Sequence, residues 1–198
     1  MSGKFYPQQG YFYHLILNIS NMIKKIVAIF LWVLIAVLQV DAQSNKELKA
    51  GAYQLFNNFY GHYNCKGGNA RGQNISADVS FSPALEGNAM VYEHIDHPPL
   101  KAHSKAIWSY DAVSKKLVSL SVSSIKDTTL TFSTLLVSDS WSPDSLLFNA
   151  DTLVAPPFRP NRFIYEKTGK NSLRMTWQVR KEGHWVMGDY LRCEEVHQ

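Results

Sequence analysis

From Ile75 to Phe81 apolar and polar residues alternate strictly: Ile75, Ala77, Val79 and Phe81 against Ser76, Asp78 and Ser80. A period of two puts each set on its own face of a strand, so the apolar set is expected to face a core. The alternation returns at Val118, Leu120 and Val122 among serines, and at Leu130 and Phe132. It returns again at Leu173, Met175, Trp177 and Val179, and at Trp185, Met187, Leu191 and Cys193, where Asp189 intrudes on the apolar side. Turn-forming clusters separate the runs at 83–87, Pro98-Pro99, 111–115, Lys126-Asp127, Pro143-Asp144, 156–160, Thr168-Gly169 and Glu182-Gly183. Before them the period is helical: Leu48, Ala52, Leu55, Phe56 and Phe59 share one face, Ser44 and Glu47 form a capping box, and Gly61 ends the pattern.

Short, evenly spaced strands over 62–198 predict an all-β domain of about 8 to 10 strands, a sandwich or a barrel, with a short helix over 43–61 in front. The cysteines favour an up-and-down antiparallel barrel. Cys65 falls in the first expected strand and Cys193 in the last, which such a barrel pairs and a sandwich need not. A Cys65–Cys193 disulfide closing the chain between them would stabilise the fold by about 4–5 kcal/mol in a loop-entropy argument. Two buried free thiols are the alternative.

Residues Ile26 to Leu38 are apolar without interruption, follow Lys24 and Lys25, and precede Val40-Asp41-Ala42. A basic flank, a short apolar run and small residues at −3 and −1 are the order of a secretory signal peptide, with cleavage expected after Ala42. The run is short of the roughly 20 apolar residues a membrane span needs, so no lasting membrane anchor is expected. The leader is then 1–42, and Met22, directly before the lysines, is a candidate for the true start. The expected product is exported, periplasmic or secreted, a setting that permits a disulfide.

Composition adds two exclusions. With 45% apolar and 18% charged residues the chain can bury a core, so wholesale disorder is not expected. Net charge is +4, but taking the leader's three lysines and one aspartate from the 20 basic and 16 acidic residues leaves +2 with no dense basic cluster. Nucleic acid is therefore not an expected partner.

The segments Phe59-Tyr60-Gly61-His62-Tyr63-Asn64-Cys65-Lys66-Gly67, Leu85-Glu86-Gly87-Asn88, Ile107-Trp108-Ser109-Tyr110-Asp111 and Trp185 to Cys193 look like landmarks of calycin-type barrels. They resemble an uncharacterised bacterial family of lipocalin-like or nitrobindin-like domains over residues 56–194. Tyr63 stands where that family usually carries tryptophan. The resemblance implies a roughly ten-stranded barrel with a central cavity and no assigned activity; nitrobindin-like barrels hold haem through a histidine, for which His184 is the candidate here.

The richest polar stretch is Glu93-His94-Ile95-Asp96-His97-Pro98-Pro99-Leu100-Lys101-Ala102-His103. A four-residue loop at 97–100 would pair His94 with His103 on one face, where they could hold a metal with His97 or Asp96 nearby. In that register the histidines point to water and Glu93 turns inward with Val91, while one more loop residue would send the two histidines to different faces. His94, His103 and His184 are thus candidate ligands beside the plainer reading of solvated histidines. There is no nucleophile elbow, zinc-protease helix, phosphate loop or dinucleotide fingerprint.

The leading expectation is a barrel that binds a small, largely apolar molecule in its lumen without catalysis and without a cofactor. Val91, Trp108, Met175, Trp177, Trp185 and Met187 would line it, with Tyr63 and Glu93 as polar contacts. The alternatives are a haem or metal barrel handling reactive oxygen or nitrogen species, and a structural or interaction barrel with a filled core.

Overall fold

The computed structural model describes residues 9–150 and 160–196. Residues 1–8 of the leader lie outside this range, as does all but Pro160 of the turn expected at 156–160. The chain divides into two units, 1–46 and 47–198. In the first, the described chain is helical, and large apolar side chains between Val27 and Val40, Phe30 and Trp32 among them, are exposed.

Helix α1 spans Gln9–Phe59. Ser44 and Glu47 therefore lie inside it and do not cap its start, because no glycine or proline interrupts positions 11–50. It stops where expected: Gly61, at φ 148°, takes a backbone geometry that other residues rarely adopt.

The second unit is built on β1 (Gly61–Asn69), β2 (Asn74–Ala84), β3 (Ala89–Asp96), β4 (Ala102–Asp111), β5 (Lys116–Ile125) and β6 (Thr131–Ser138). These are followed by β7 (Trp141–Ser142), β8 (Ser145–Ala150), β9 (Asn161–Gly169), β10 (Ser172–Lys181) and β11 (His184–Glu195). Their order in the sheet is β6-β5-β4-β3-β2-β1-β11-β10-β9-β8-β7, and β6 also pairs with β8. The result is a closed, antiparallel, up-and-down barrel of ten strands, with the two-residue β7 attached to β8. The ring is closed between β6 and β8 by the pairs Leu136–Ala150 and Val137–Asn149.

The first and last strands meet as the cysteine positions predict. Cys65 is the register partner of Cys193, and their sulfurs are bonded at 2.06 Å. Two residues further on, Gly67 faces Leu191, and a β-carbon at Gly67 would run into the Tyr190 carbonyl. The strands can approach this closely only because position 67 has no side chain.

One end of the barrel is filled. Ala52, Leu55, Phe56 and Phe59 of α1 are fully buried, with the Phe59 ring edge-on to Phe81 at 5.6 Å. Next along the axis, Trp108 meets Phe81, Tyr92, Phe148 and Tyr165 with centroids 4.8–5.6 Å apart. Rings from five strands thus close the lumen at this level, each pair contributing about 0.5–1.5 kcal/mol beyond its buried area.

Strand β5 reverses the phase expected from its composition. Asp111 accepts bonds from the amides of Val113 and Ser114, and Lys115 takes φ 58°, a tight turn that pairs Tyr110 with Leu117 and Trp108 with Ser119. Leu117 shares the buried face with Trp108, so Ser119, Ser121 and Ser123 follow it inward, leaving Leu120 and Val122 exposed. Turn geometry, not side-chain polarity, decides which face goes inside.

Intact protein denatured without reductant is expected to take up no alkylating reagent. The Cys65→Ala/Cys193→Ala variant is expected to lose roughly 2–5 kcal/mol in urea unfolding. Two alkylated thiols in the unreduced protein would contradict the bridge.

Candidate functional site

Beyond the aromatic layer, toward the mouth opposite the helix, the barrel is hollow. A cavity of about 730 Å³ opens there, large enough for a small organic ligand. Its walls differ in character. Phe163 and Ile164 of β9 and Met175, Trp177 and Val179 of β10 make an apolar side, with Trp108 below. Ser119, Ser121 and Ser123 of β5 and Ser104 of β4 make a hydroxyl side. Ser104 and Ser123 bond each other at 2.7 Å and Ser121 donates to the Thr134 carbonyl, whereas the buried Ser119 Oγ has no partner among the described residues.

A third wall carries charge. On β3 the residues facing the lumen are Tyr92, His94 and Asp96. The Tyr92 hydroxyl lies 2.8 Å from His94 Nδ1, and His94 Nε2 donates to Asp96 Oδ1, also at 2.8 Å. The Tyr165 ring stands edge-on to Tyr92 at 5.9 Å, and burial, chiefly, pushes both phenols well above the ordinary tyrosine range. Three strands around the ring, and in electrostatic reach of His94 and Asp96, stands Asp189 of β11, whose carboxyl is pushed up to about 6. Desolvation is the main cause; the Asp96 charge adds to it and His94 opposes it.

Asp189 reaches the lumen through a bulge. The β10–β11 register shifts after Trp177, which pairs with Asp189, while Gln178 pairs with Met187, so Gly188 is the extra residue. A β-carbon on Gly188 would strike the Trp177 indole, which lies over the bulge. This one residue also changes the phase of the strand's first half.

Of the expected lining residues, the structure brings Trp108, Met175 and Trp177 together in the cavity. Trp185 and Met187, past the bulge, pair with Arg180 and Gln178 and lie on the outer face, with Arg162 stacked 4.3 Å over the Trp185 ring. Val91 pairs with Ile107, also on the outer face. Tyr63 is buried at the helix end, below the cavity, where its hydroxyl donates to the Phe59 carbonyl; burial, with the Glu195 charge, pushes it up to about 12.

Glu93 and His94 are exchanged relative to expectation, while His103 faces water as expected. The connection between β3 and β4 uses five residues, 97–101, so His103 pairs with Ile95 and not with His94. His94 consequently faces the lumen and His103 faces water, where it bonds Glu93 at 2.9 Å; that bond, with help from Lys105, holds the Glu93 carboxyl below its usual range. His97 is exposed and bonds Asp78 at 2.9 Å. His184 is exposed at the start of β11. His94 and His103 therefore cannot share a metal, and among the described residues no group of three or more His, Cys, Asp or Glu is placed to hold one.

Sequence reasoning missed Tyr92, His94, Asp96, Tyr165 and the serine wall as lumen residues. For Asp189 a signal existed: a lone carboxylate within an otherwise apolar alternation. Compared with known proteins, the sequence matches no family model and no curated protein.

Because folding raises the pKa of Asp189 from 3.8 to about 6, the folded state holds its proton more tightly than the unfolded state. Stability contributed here is present at acid pH and is lost as pH rises through about 6. Asp189→Asn is expected to stabilise the protein by roughly 1–3 kcal/mol at pH 8, a gain that shrinks toward pH 4. Urea unfolding at the two pH values checks this; an equal effect at both, or a loss at pH 8, would contradict it.

Proposed function

We propose that the chain is an exported, calycin-type barrel that binds one small, largely apolar molecule in its lumen and does no chemistry on it. The observation that carries this reading is the 730 Å³ cavity above a closed aromatic layer, with an apolar wall facing localised polar groups. The filled-core alternative describes only the half of the barrel nearer the helix. A haem or metal role finds no support in the lumen, since both nitrogens of its histidine are engaged by Tyr92 and Asp96. Among the described residues no lumen serine is hydrogen-bonded to that imidazole as a nucleophile–base pair would be.

Export is supported by the intramolecular disulfide and by the apolar run behind Lys24 and Lys25. Among the described residues no helix is long and apolar enough to cross a membrane. N-terminal sequencing of the protein from its own host is expected to begin at Gln43; a retained leader would remove the export part of the proposal.

Titration of the full chain with the neutral fluorophore N-phenyl-1-naphthylamine is expected to give saturable one-to-one binding. Filling the lumen by Ala106→Trp or Ser121→Phe should weaken it by about tenfold or more, while Leu120→Ser on the outer face should not. Absence of saturable binding, or loss on Leu120→Ser alone, would overturn the reading.

A further inference from the structure

The lumen carries an uncompensated negative charge. Among the described residues that line it there is no lysine or arginine, and its ionisable side chains include Asp96, Asp189 and His94. Asp96 is matched by the N–H of His94. Asp189 has no hydrogen-bond partner among the described residues, although it is largely withdrawn from water and placed there by a bulge that costs the sheet a regular pairing. A carboxylate in such a site is stabilised by a cation brought by a ligand, whereas an anionic or purely apolar guest leaves it unpaired. Trp177 is its register partner, and Tyr92, Trp108, Phe163 and Tyr165 line the same cavity. Aromatic faces attract an ammonium group as they attract apolar carbon.

The opposite wall supplies a second observation. In the ten-strand ring β5 lies five strands from β11 in either direction, so the serine wall and the strand that carries Asp189 are on opposite sides of the lumen. The wall there is hydroxylated: Ser104, Ser119, Ser121 and Ser123 line it, and among the described residues the Ser119 Oγ has no partner.

We propose that the ligand is a protonated arylalkylamine, its ammonium held by Asp189 beside the His94–Asp96 pair, its ring along Trp108 and Trp177, and any polar ring substituent facing the hydroxyl wall of β4 and β5. This rests on the lumen-binding reading and names its ligand class.

The test uses three probes of the full chain at pH 7.5: phenethylamine, its neutral counterpart 2-phenylethanol, and N-phenyl-1-naphthylamine. Calorimetry is expected to show phenethylamine bound about tenfold or more tightly than 2-phenylethanol. Asp189→Asn is expected to reduce that ratio to within about threefold, while Glu93→Gln, which removes a carboxylate from the outer face, should leave it unchanged. Equal affinities in the unmodified chain, or a preference that survives Asp189→Asn, would overturn the ammonium site. If the naphthylamine binds and phenethylamine shows no preference, the lumen reading stands and this proposal falls. If neither binds, both fall.

Discussion

The pairing of β1 with β11 is the constraint on which the structure turns. It converts a meander into a ring, and its phase is set by groups that tolerate no slip. Cys65 must face Cys193 to form the bridge, and Gly67 must lie where the Tyr190 carbonyl crosses it. A one-residue shift would carry every side chain of either strand to the opposite face. With this phase fixed, Leu191 and Cys193 point inward, and Asp189 shares their side of β11. The disulfide thus does more than shorten the unfolded chain: it holds in register the strand that presents the lumen's carboxylate.

The barrel is filled at one end and hollow at the other because its residues change along the axis. Near α1 the inward positions are Phe59, Tyr63, Phe81, Leu117 and Phe148, large enough to meet across the ring. Farther along, the inward positions of β4 and β5 become Ala106, Ser104, Ala102, Ser121 and Ser123, too small to meet anything opposite. Small residues on one arc and aromatic residues on the other leave a space with one greasy and one hydroxylated wall. A close-packed interior would not accommodate this combination, since buried hydroxyls need partners. Ser104 and Ser123 find them in each other and Ser121 in a backbone carbonyl, whereas Ser119 has none among the described residues.

The architecture was legible from the sequence because period-two alternation and turn residues are local signals, and the two cysteines supplied the one long-range pairing that separates a barrel from a sandwich. The site was legible only in part, for a physical reason. Which face of a strand points inward depends on turn length and bulges, each a one-residue matter. Trp108, Met175 and Trp177 lie on strands whose alternation had the expected phase. Trp185 and Met187 were displaced by the bulge at Gly188, and Glu93 changed places with His94 because the loop after β3 takes five residues. On β5 the serines looked like the solvent face by composition, yet the Asp111 turn aligned them with Trp108. The apolar residues left outside there, Leu120 and Val122, show that polarity alone is a weak guide to phase in a strand poor in large side chains.

The central claim is that a ligand enters the lumen and stops above the aromatic layer. The tryptophans report this directly, because Trp108 and Trp177 line the cavity while Trp185 lies on the outer face and Trp141 packs at the helix end beside Tyr110. In an NMR titration of the indole N–H resonances with phenethylamine, assigned by single Trp→Phe substitutions, Trp108 and Trp177 should shift together and saturate while Trp141 and Trp185 stay in place. Movement of Trp185 with Trp108 and Trp177 unmoved would contradict the account.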